Sequence, residues 1–84
     1  MVRDVAAWVP IGTTGQQVQH MIEEEAGALA VSIQMFDTFT KGERTSFAFR
    51  LIFQSFERTL EDAEANAAMD KVYAALKEKG FEIR

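Results

Sequence analysis

The sequence contains no cysteine, a single proline and no long hydrophobic run. Without cysteine the chain has neither disulfides nor thiolate metal sites. Its longest apolar runs are a handful of residues, far short of the roughly 20 that cross a bilayer. The first ten residues also lack the apolar centre of a signal peptide. These absences argue against a membrane partner, and the lack of cysteine leaves the redox compartment unmarked.

The sequence also lacks an excess of positive charge. Nine Lys and Arg residues stand against thirteen Asp and Glu residues, for a net charge of −4. This balance speaks against a protein that holds nucleic acid by charge alone. With 48% hydrophobic and 26% charged residues in 84 positions, the composition is typical of one globular domain, which we expect to span residues 1–84.

The first quarter of the chain predicts a strand followed by a helix. Val2 to Val9 alternates as a strand does, and Pro10 ends it because proline has no donor for a ladder. Thr13 or Thr14 can cap the next helix, since each has a glutamine three residues later. Gly27 ends that helix, whose predicted buried stripe is Val18, Ile22 and Ala26.

The middle of the chain predicts a β-hairpin with a bulge. Residues 29–39 and 45–54 are rich in β-branched and aromatic side chains, and Gly42 suits a two-residue type II′ loop between them. That register places Phe36 opposite Phe49 in the core. Continued unbroken, it would turn Ile33 and Val31 outward, so we expect a bulge near residues 35 and 36 to restore them to the inner face.

The last third of the chain predicts a helix and a short strand. Residues 61–79 have a helical period with a buried stripe of Ala65, Met69, Val72 and Leu76. Gly80 ends this helix, and residues 81–84 alternate as a strand. The order of elements indicates an α+β, ferredoxin-like βαββαβ two-layer sandwich. We expect a four-stranded antiparallel sheet of order 4-1-3-2 with both helices on one face.

The side chains that commonly carry catalysis are sparse and badly placed. His20 is the only histidine, and we interpret it as a partly exposed helix residue because a catalytic base needs a positioned partner. Glu23, Glu24 and Glu25 point about 100° apart on a helix and cannot converge on one metal ion. No phosphate-binding loop or nucleophile motif is present. We therefore expect no catalysis, metal or cofactor in this chain alone. Met21, Met35 and Met69 are most simply core residues.

The sheet face that the helices leave uncovered, here called the open face, is the most informative predicted surface. Aromatic rings there can stack on single-stranded bases, while carboxylate and hydroxyl groups read base edges. Residues 38–56 have a local charge of +2, whereas nine of the thirteen acids lie in or beside the helices. The register assigns to this face Asp4, Ala6, Trp8, Asp37, Phe39, Ser46, Ala48, Arg50 and Ile52. These features favour RNA contact, but such faces also form dimer contacts.

Four separated segments resemble a known family: residues 36–39 (FDTF), 45–51 (TSFAFRL), 57–60 (ERTL) and 66–69 (NAAM). Together they resemble the ferredoxin-fold anticodon-binding domain that closes the beta subunit of bacterial phenylalanyl-tRNA synthetase, an aminoacyl-tRNA synthetase of protein biosynthesis. A similar domain is found in the single-chain organellar enzyme. The resemblance runs from Arg3 to Arg84.

The resemblance implies a site and a set of partners. It places the family's anticodon contacts on Ala6, Asp37, Phe39 and Ser46. It implies the anticodon loop of tRNA(Phe), the rest of the beta subunit and the alpha subunit as partners, and the cytoplasm as the location. Phe39 stands where the family commonly has tyrosine, which keeps the stacking ring without its hydroxyl, and the loop of residues 40–44 is shorter than usual. Our own reading of the open face adds Trp8, Arg50, Lys41 and Arg44 as RNA-binding candidates.

A second function remains open at this point. A βαββαβ module can also be a regulatory or dimerisation unit that uses its sheet face or sheet edge for self-association or for a small ligand. The two functions differ in what touches Asp37 and Ser46, because only the RNA function requires a specific contact at both residues.

Overall fold

A computed structural model describes all residues of the chain, Met1–Arg84. Its elements are β1 (Val2–Pro10), α1 (Gly15–Ala26), β2 (Ala30–Lys41), β3 (Arg44–Phe53), α2 (Asp62–Glu78) and β4 (Glu82–Ile83). The four strands form one antiparallel sheet in the order β2-β3-β1-β4. This is the predicted order 4-1-3-2 read from the other edge, and the ferredoxin-like α+β fold is confirmed.

The hydrophobic core lies between the two helices and one face of the sheet. Alternate residues of β1 and β3 meet the helical stripes there because side chains alternate along a strand and repeat every three to four residues along a helix. All the predicted stripe residues are buried. The sheet side of the core consists of Val5, Ala7, Val9, Phe47, Phe49, Leu51 and Phe53.

Local signals fix where α1 begins and where the hairpin turns. Of the two threonines that could cap α1, Thr14 does so: its Oγ1 accepts from Gln17 N–H at 3.1 Å, and Gln17 Oε1 accepts from Thr14 N–H at 2.9 Å. In the hairpin loop Gly42 has φ +62°, while no non-glycine residue has a positive φ. A type II′ loop requires a positive φ only at its first central residue, so the predicted turn is confirmed.

The predicted bulge is present, but its effect on Phe36 differs from the prediction. Met35, not Phe36, pairs with Phe49, and Phe36 is the extra residue between the pairs Met35–Phe49 and Asp37–Ala48. A bulge places two consecutive side chains toward the same face. Phe36 therefore joins Asp37 on the open face and is 51% exposed. The expectation that Phe36 belongs to the core was wrong.

A second bulge, which the sequence pattern does not predict, lies at the start of β2. The register shifts between Ala30 and Ser32, so that Val31 is the extra residue and is exposed. The expectation that Val31 faces the core was wrong. Ile33 does pack against the core as expected. Met35, expected to be a core residue, is 45% exposed because β2 is the outer strand and has no neighbour on one side.

Candidate nucleic-acid interface

The open face is a set of parallel rows that cross β2, β3 and β1. From the hairpin loop downward the first row is Lys41–Arg44–Pro10 and the next is Phe39–Ser46–Trp8. Below these lie the rows Asp37–Ala48–Ala6 and Gln34–Arg50–Asp4. All eight RNA-binding candidates from the sequence lie in these four rows. Successive rows are about 7 Å apart, since each is two residues further along β1 and β3.

The Phe39–Ser46–Trp8 row carries an aromatic pair with two cations, which we call the Trp8 cluster: Trp8, Phe39, Arg44 and Arg84. The ring centroids of Trp8 and Phe39 are 5.9 Å apart at an interplanar angle of 68°. The guanidinium carbons of Arg44 and Arg84 lie 5.2 and 5.6 Å from the Trp8 ring centroid. Two aromatic rings in an edge-to-face arrangement attract each other electrostatically. A cation that lies over an indole ring is attracted to the ring face in the same way. Phe39 nevertheless remains 51% exposed, so the cluster offers a ring to a ligand.

Ser46 lies beneath this cluster and is covered. It is 1% exposed and is the only buried polar residue of the chain. Its Oγ accepts a hydrogen bond of 2.9 Å from Arg84 Nη1. Arg84 reaches it because the Arg84 N–H donates to Ala6 O at 2.8 Å, which continues β4 along the edge of β1. A ligand that uses the Ser46 hydroxyl must therefore displace the Arg84 side chain.

The row below the Trp8 cluster carries two small side chains, and we call it the trough. Its floor consists of Ala48, which is buried, and Ala6, which is partly buried. Asp37 stands at the β2 end of this row and is exposed. Its Oδ1 accepts from Thr38 N–H at 3.0 Å, which fixes the carboxylate and leaves Oδ2 without a protein partner. Alanine side chains leave room for a planar ring, and a fixed carboxylate can accept a hydrogen bond from a base edge.

Arg50 and Asp4 form an ion pair in the lowest of these rows. Arg50 Nε and Nη2 donate to Asp4 Oδ1 and Oδ2 at 2.9 and 3.1 Å. These hydrogen bonds lower the pKa of Asp4 and raise that of Arg50. The Arg50 guanidinium carbon also lies 4.6 Å from the Phe36 ring centroid. Arg50 thus has its carboxylate inside the domain and is not a free phosphate-binding cation.

Of the other cations on the open face, one has a carboxylate partner and two have none. Arg44 forms an ion pair with Glu82, whereas Lys41 and Arg84 appear in no ion pair. The local charge of +2 read from the chain is therefore largely neutralised by acids of other strands. Long-range attraction to phosphate is weak here, so shape and stacking dominate what this face can bind.

Other chemistry-bearing groups do not form a second site. The exposed His20 imidazole pairs with Glu24, Nε2 to Oε1 at 3.0 Å, on the outer face of α1. No group of three or more His, Asp or Glu side chains is placed to hold a metal ion. Neither helix is both long and apolar enough to cross a membrane.

The sequence reasoning missed Arg84 and Phe36. Arg84 was detectable, because the alternation of the last strand turns Phe81 and Ile83 inward and Glu82 and Arg84 outward beside β1. Phe36 was harder to assign, since a bulge in this region can be placed one residue either way without changing the apolar pattern.

The sequence is similar to known proteins along its whole length. Residues 1–84 match the family described as Ferredoxin-fold anticodon binding domain. The chain is 38% identical over 86 residues to the phenylalanine–tRNA ligase beta subunit of Synechococcus sp. (strain JA-3-3Ab), an alignment that covers 96% of the chain. The proteins of the same name from Symbiobacterium thermophilum and Listeria monocytogenes serotype 4b are 35% and 38% identical, over 100% and 94% of the chain. The chain spans 10% of the length of each of these relatives.

The family match and the fold agree. The matched region includes every strand and both helices, and the order of elements and the sheet order are those of the ferredoxin-like plan. The chain therefore belongs to the ferredoxin-fold anticodon binding domain family.

Proposed function

We propose that this domain holds the anticodon loop of tRNA(Phe) on its open face, as a module of a phenylalanine–tRNA ligase beta subunit in the cytoplasm. The observation that carries the proposal is the Trp8 cluster above the trough, where a half-exposed Phe39 ring adjoins a row floored by alanines. One unstacked base can lie against Phe39 while its edge faces Asp37. The family match and the beta-subunit relatives support the same role.

The proposed role is recognition, and catalysis belongs to other parts of the synthetase. The open face positions rings, a carboxylate and a covered hydroxyl, and the role requires no cofactor. The rest of the beta subunit and the alpha subunit are the proposed protein partners. They would hold the body of the tRNA and raise the effective concentration of its anticodon loop at this face.

The test is a titration of the ¹⁵N-labelled 84-residue chain with an anticodon stem-loop of tRNA(Phe). We expect amide shift changes at Asp37, Phe39 and Ser46 and at their neighbours on β1, with the two helices unaffected. A stem-loop with the same stem and a scrambled anticodon triplet is the control and should cause smaller changes on β2 and β3. Changes confined to the helices, or equal changes with both loops, would contradict the proposal.

The same sample tests the alternative of self-association. A dimerisation module predicts that open-face amides shift with protein concentration in the absence of RNA. We expect no such shift, because the half-exposed aromatic rings of this face are interleaved with ion pairs and do not form a continuous apolar patch.

A further inference from the structure

We propose that Phe36 is a second base-stacking position on the open face, held on Arg50 and serving a different nucleotide from the one at Phe39. The inference rests on the proposed RNA-binding function and deepens it. It starts from the bulge in β2, which turns an aromatic side chain out of the core and beside Asp37.

The Phe36 ring is supported from one side only. The Arg50 guanidinium lies 4.6 Å from its centroid, while 51% of the Phe36 side chain stays exposed. Arg50 is itself held by two hydrogen bonds to Asp4. A ring that is already fixed loses little conformational freedom when a ligand stacks on it, which favours binding. The opposite ring face is therefore a prepared stacking surface.

The position of Phe36 separates it from the Trp8 cluster. Phe36 and Phe39 are three residues apart on β2, which is about 10 Å along the strand at 3.4 Å per residue. Two rings that sandwich one base are about two stacking spacings apart, or about 7 Å at 3.4 Å per spacing. We therefore expect different bases on Phe36 and Phe39, with Asp37, at the end of the row of Ala48 and Ala6, between them on β2. A single strand that crosses the trough would place one base on each wall.

The charges around Phe36 indicate what it binds. The Arg50–Asp4 pair is internally neutral, so this position offers stacking and no net attraction for phosphate. Its contribution should not depend on salt, in contrast to contacts made by Lys41 or Arg84. The ligand is therefore a nucleobase, and the contact should tolerate any base because every base has a π-face.

The experiment uses anticodon stem-loops in which 2-aminopurine replaces one loop nucleotide at a time. Its fluorescence falls when the base stacks. The variants are Phe36→Leu, Phe39→Leu and, as a matched control, Phe56→Leu, which alters an aromatic side chain that is 86% exposed in the segment after β3. We expect Phe36→Leu and Phe39→Leu to restore fluorescence at two different loop positions and Phe56→Leu to restore it at none.

Affinity gives a second readout. Phe36→Leu should weaken binding at least about fivefold, the lower limit for loss of one stack, and leave the slope of affinity against salt unchanged. Phe36→Trp should bind like the original chain, because a larger ring still stacks. Thermal unfolding by circular dichroism checks that each variant folds.

The other possible outcomes show which of the two proposals fails. If Phe39→Leu weakens binding and Phe36→Leu matches the original chain in affinity and quenching, the second stacking position is wrong and the proposed function stands. If Phe36→Leu and Phe39→Leu restore fluorescence at the same loop position, the assignment of the two rings to different nucleotides is wrong. If the original chain binds no stem-loop at millimolar concentrations, both proposals fail.

Discussion

Arg84 donates a hydrogen bond of 2.9 Å to the Oγ of Ser46 and lies over the Trp8 ring, so the residue that follows β4 covers the only buried polar side chain of the open face. The contact joins the end of β4 to β3 across the intervening strand β1. It therefore links the shortest strand of the sheet to the row that carries the Trp8 cluster, and it leaves Ser46 accessible to a ligand only when Arg84 moves.

The first prediction concerns the energetic coupling of Arg84 and Ser46. Arg84→Gln and Ser46→Ala should each destabilise the domain, and the double variant should lose less than the sum of the two. The expected coupling is about 1 kcal/mol, as for a hydrogen bond from a cation that is partly exposed. Urea unfolding of the original chain and the three variants measures it. Strict additivity would show that the contact contributes nothing to stability.

The second prediction separates the roles of Asp37 and Phe39. Phe39→Ala should weaken the binding of all anticodon loops alike, by about 1–3 kcal/mol, because stacking has little sequence preference. Asp37→Ala should mainly reduce the difference between matched and altered loops, since a carboxylate accepts from particular base edges. Titrations of both variants with matched and altered stem-loops measure these effects. Equal behaviour of the two variants would refute this division of roles.

The third prediction concerns Glu82, whose carboxylate forms an ion pair with Arg44. Lys41 and Arg84 are the open-face cations without a carboxylate partner, so two phosphate contacts give a shallow salt slope of about −1.4 for single-stranded RNA. Glu82→Gln frees Arg44 and should strengthen binding while the slope steepens by about 0.7. Affinities at several salt concentrations provide the measurement.

A matched control distinguishes this local effect from net charge. Glu25→Gln makes the same change of charge at an exposed position of α1, on the other side of the sheet. It should raise affinity less and leave the slope as in the original chain. Similar results for Glu25→Gln and Glu82→Gln would mean that Arg44 has no specific contact with phosphate.

The fourth prediction concerns stability in acid. Hydrogen bonds from Arg50 lower the pKa of Asp4 below its ordinary value of 3.8, and Arg58 does the same to Glu64. A carboxyl whose pKa is lower in the folded state contributes stability above its unfolded pKa, and this stability is lost as the pH falls through the folded pKa. Asp4→Asn should therefore lower the melting temperature near pH 6 and reduce its fall below about pH 4.

The measurement is a set of thermal melts between about pH 2 and pH 7 for the original chain and Asp4→Asn. Asp4 is exposed, so solvent screening keeps the effect of this substitution small. Glu57→Gln is the control, because Glu57 is an exposed carboxylate with no ion-pair partner. An acid transition that is identical in the original chain and in Asp4→Asn would contradict the prediction.

Much of the fold could be predicted because its signals are local. The alternation of Val5, Ala7 and Val9 and the helical stripes around Val18 and Val72 each report which face of one element is buried. The turn at Gly42 follows from the backbone freedom of a single residue. The apolar pattern of β2 cannot face the core in one unbroken register, and it therefore predicts a bulge.

The errors came where packing decides between neighbouring residues. A bulge at Phe36 or one residue earlier satisfies the same apolar pattern, and only the pairing of Met35 with Phe49 places the Phe36 ring on the open face. The second bulge at Val31 has the same origin. The sequence predicts a core position for Met35, but because β2 is an outer strand its side chain is 45% exposed.

The amino-acid sequence by itself determined the order of strands and helices, their buried faces, the ferredoxin-like plan and the residues that line the open face. Hydrophobic periodicity and turn chemistry act over a few residues, so they can be read along the chain. Only the tertiary structure decided which of those residues are paired: Arg50 with Asp4, Arg44 with Glu82 and Arg84 with Ser46. These pairs join positions 38 to 46 residues apart in the chain, and they form only when the strand register brings complementary groups together across the sheet.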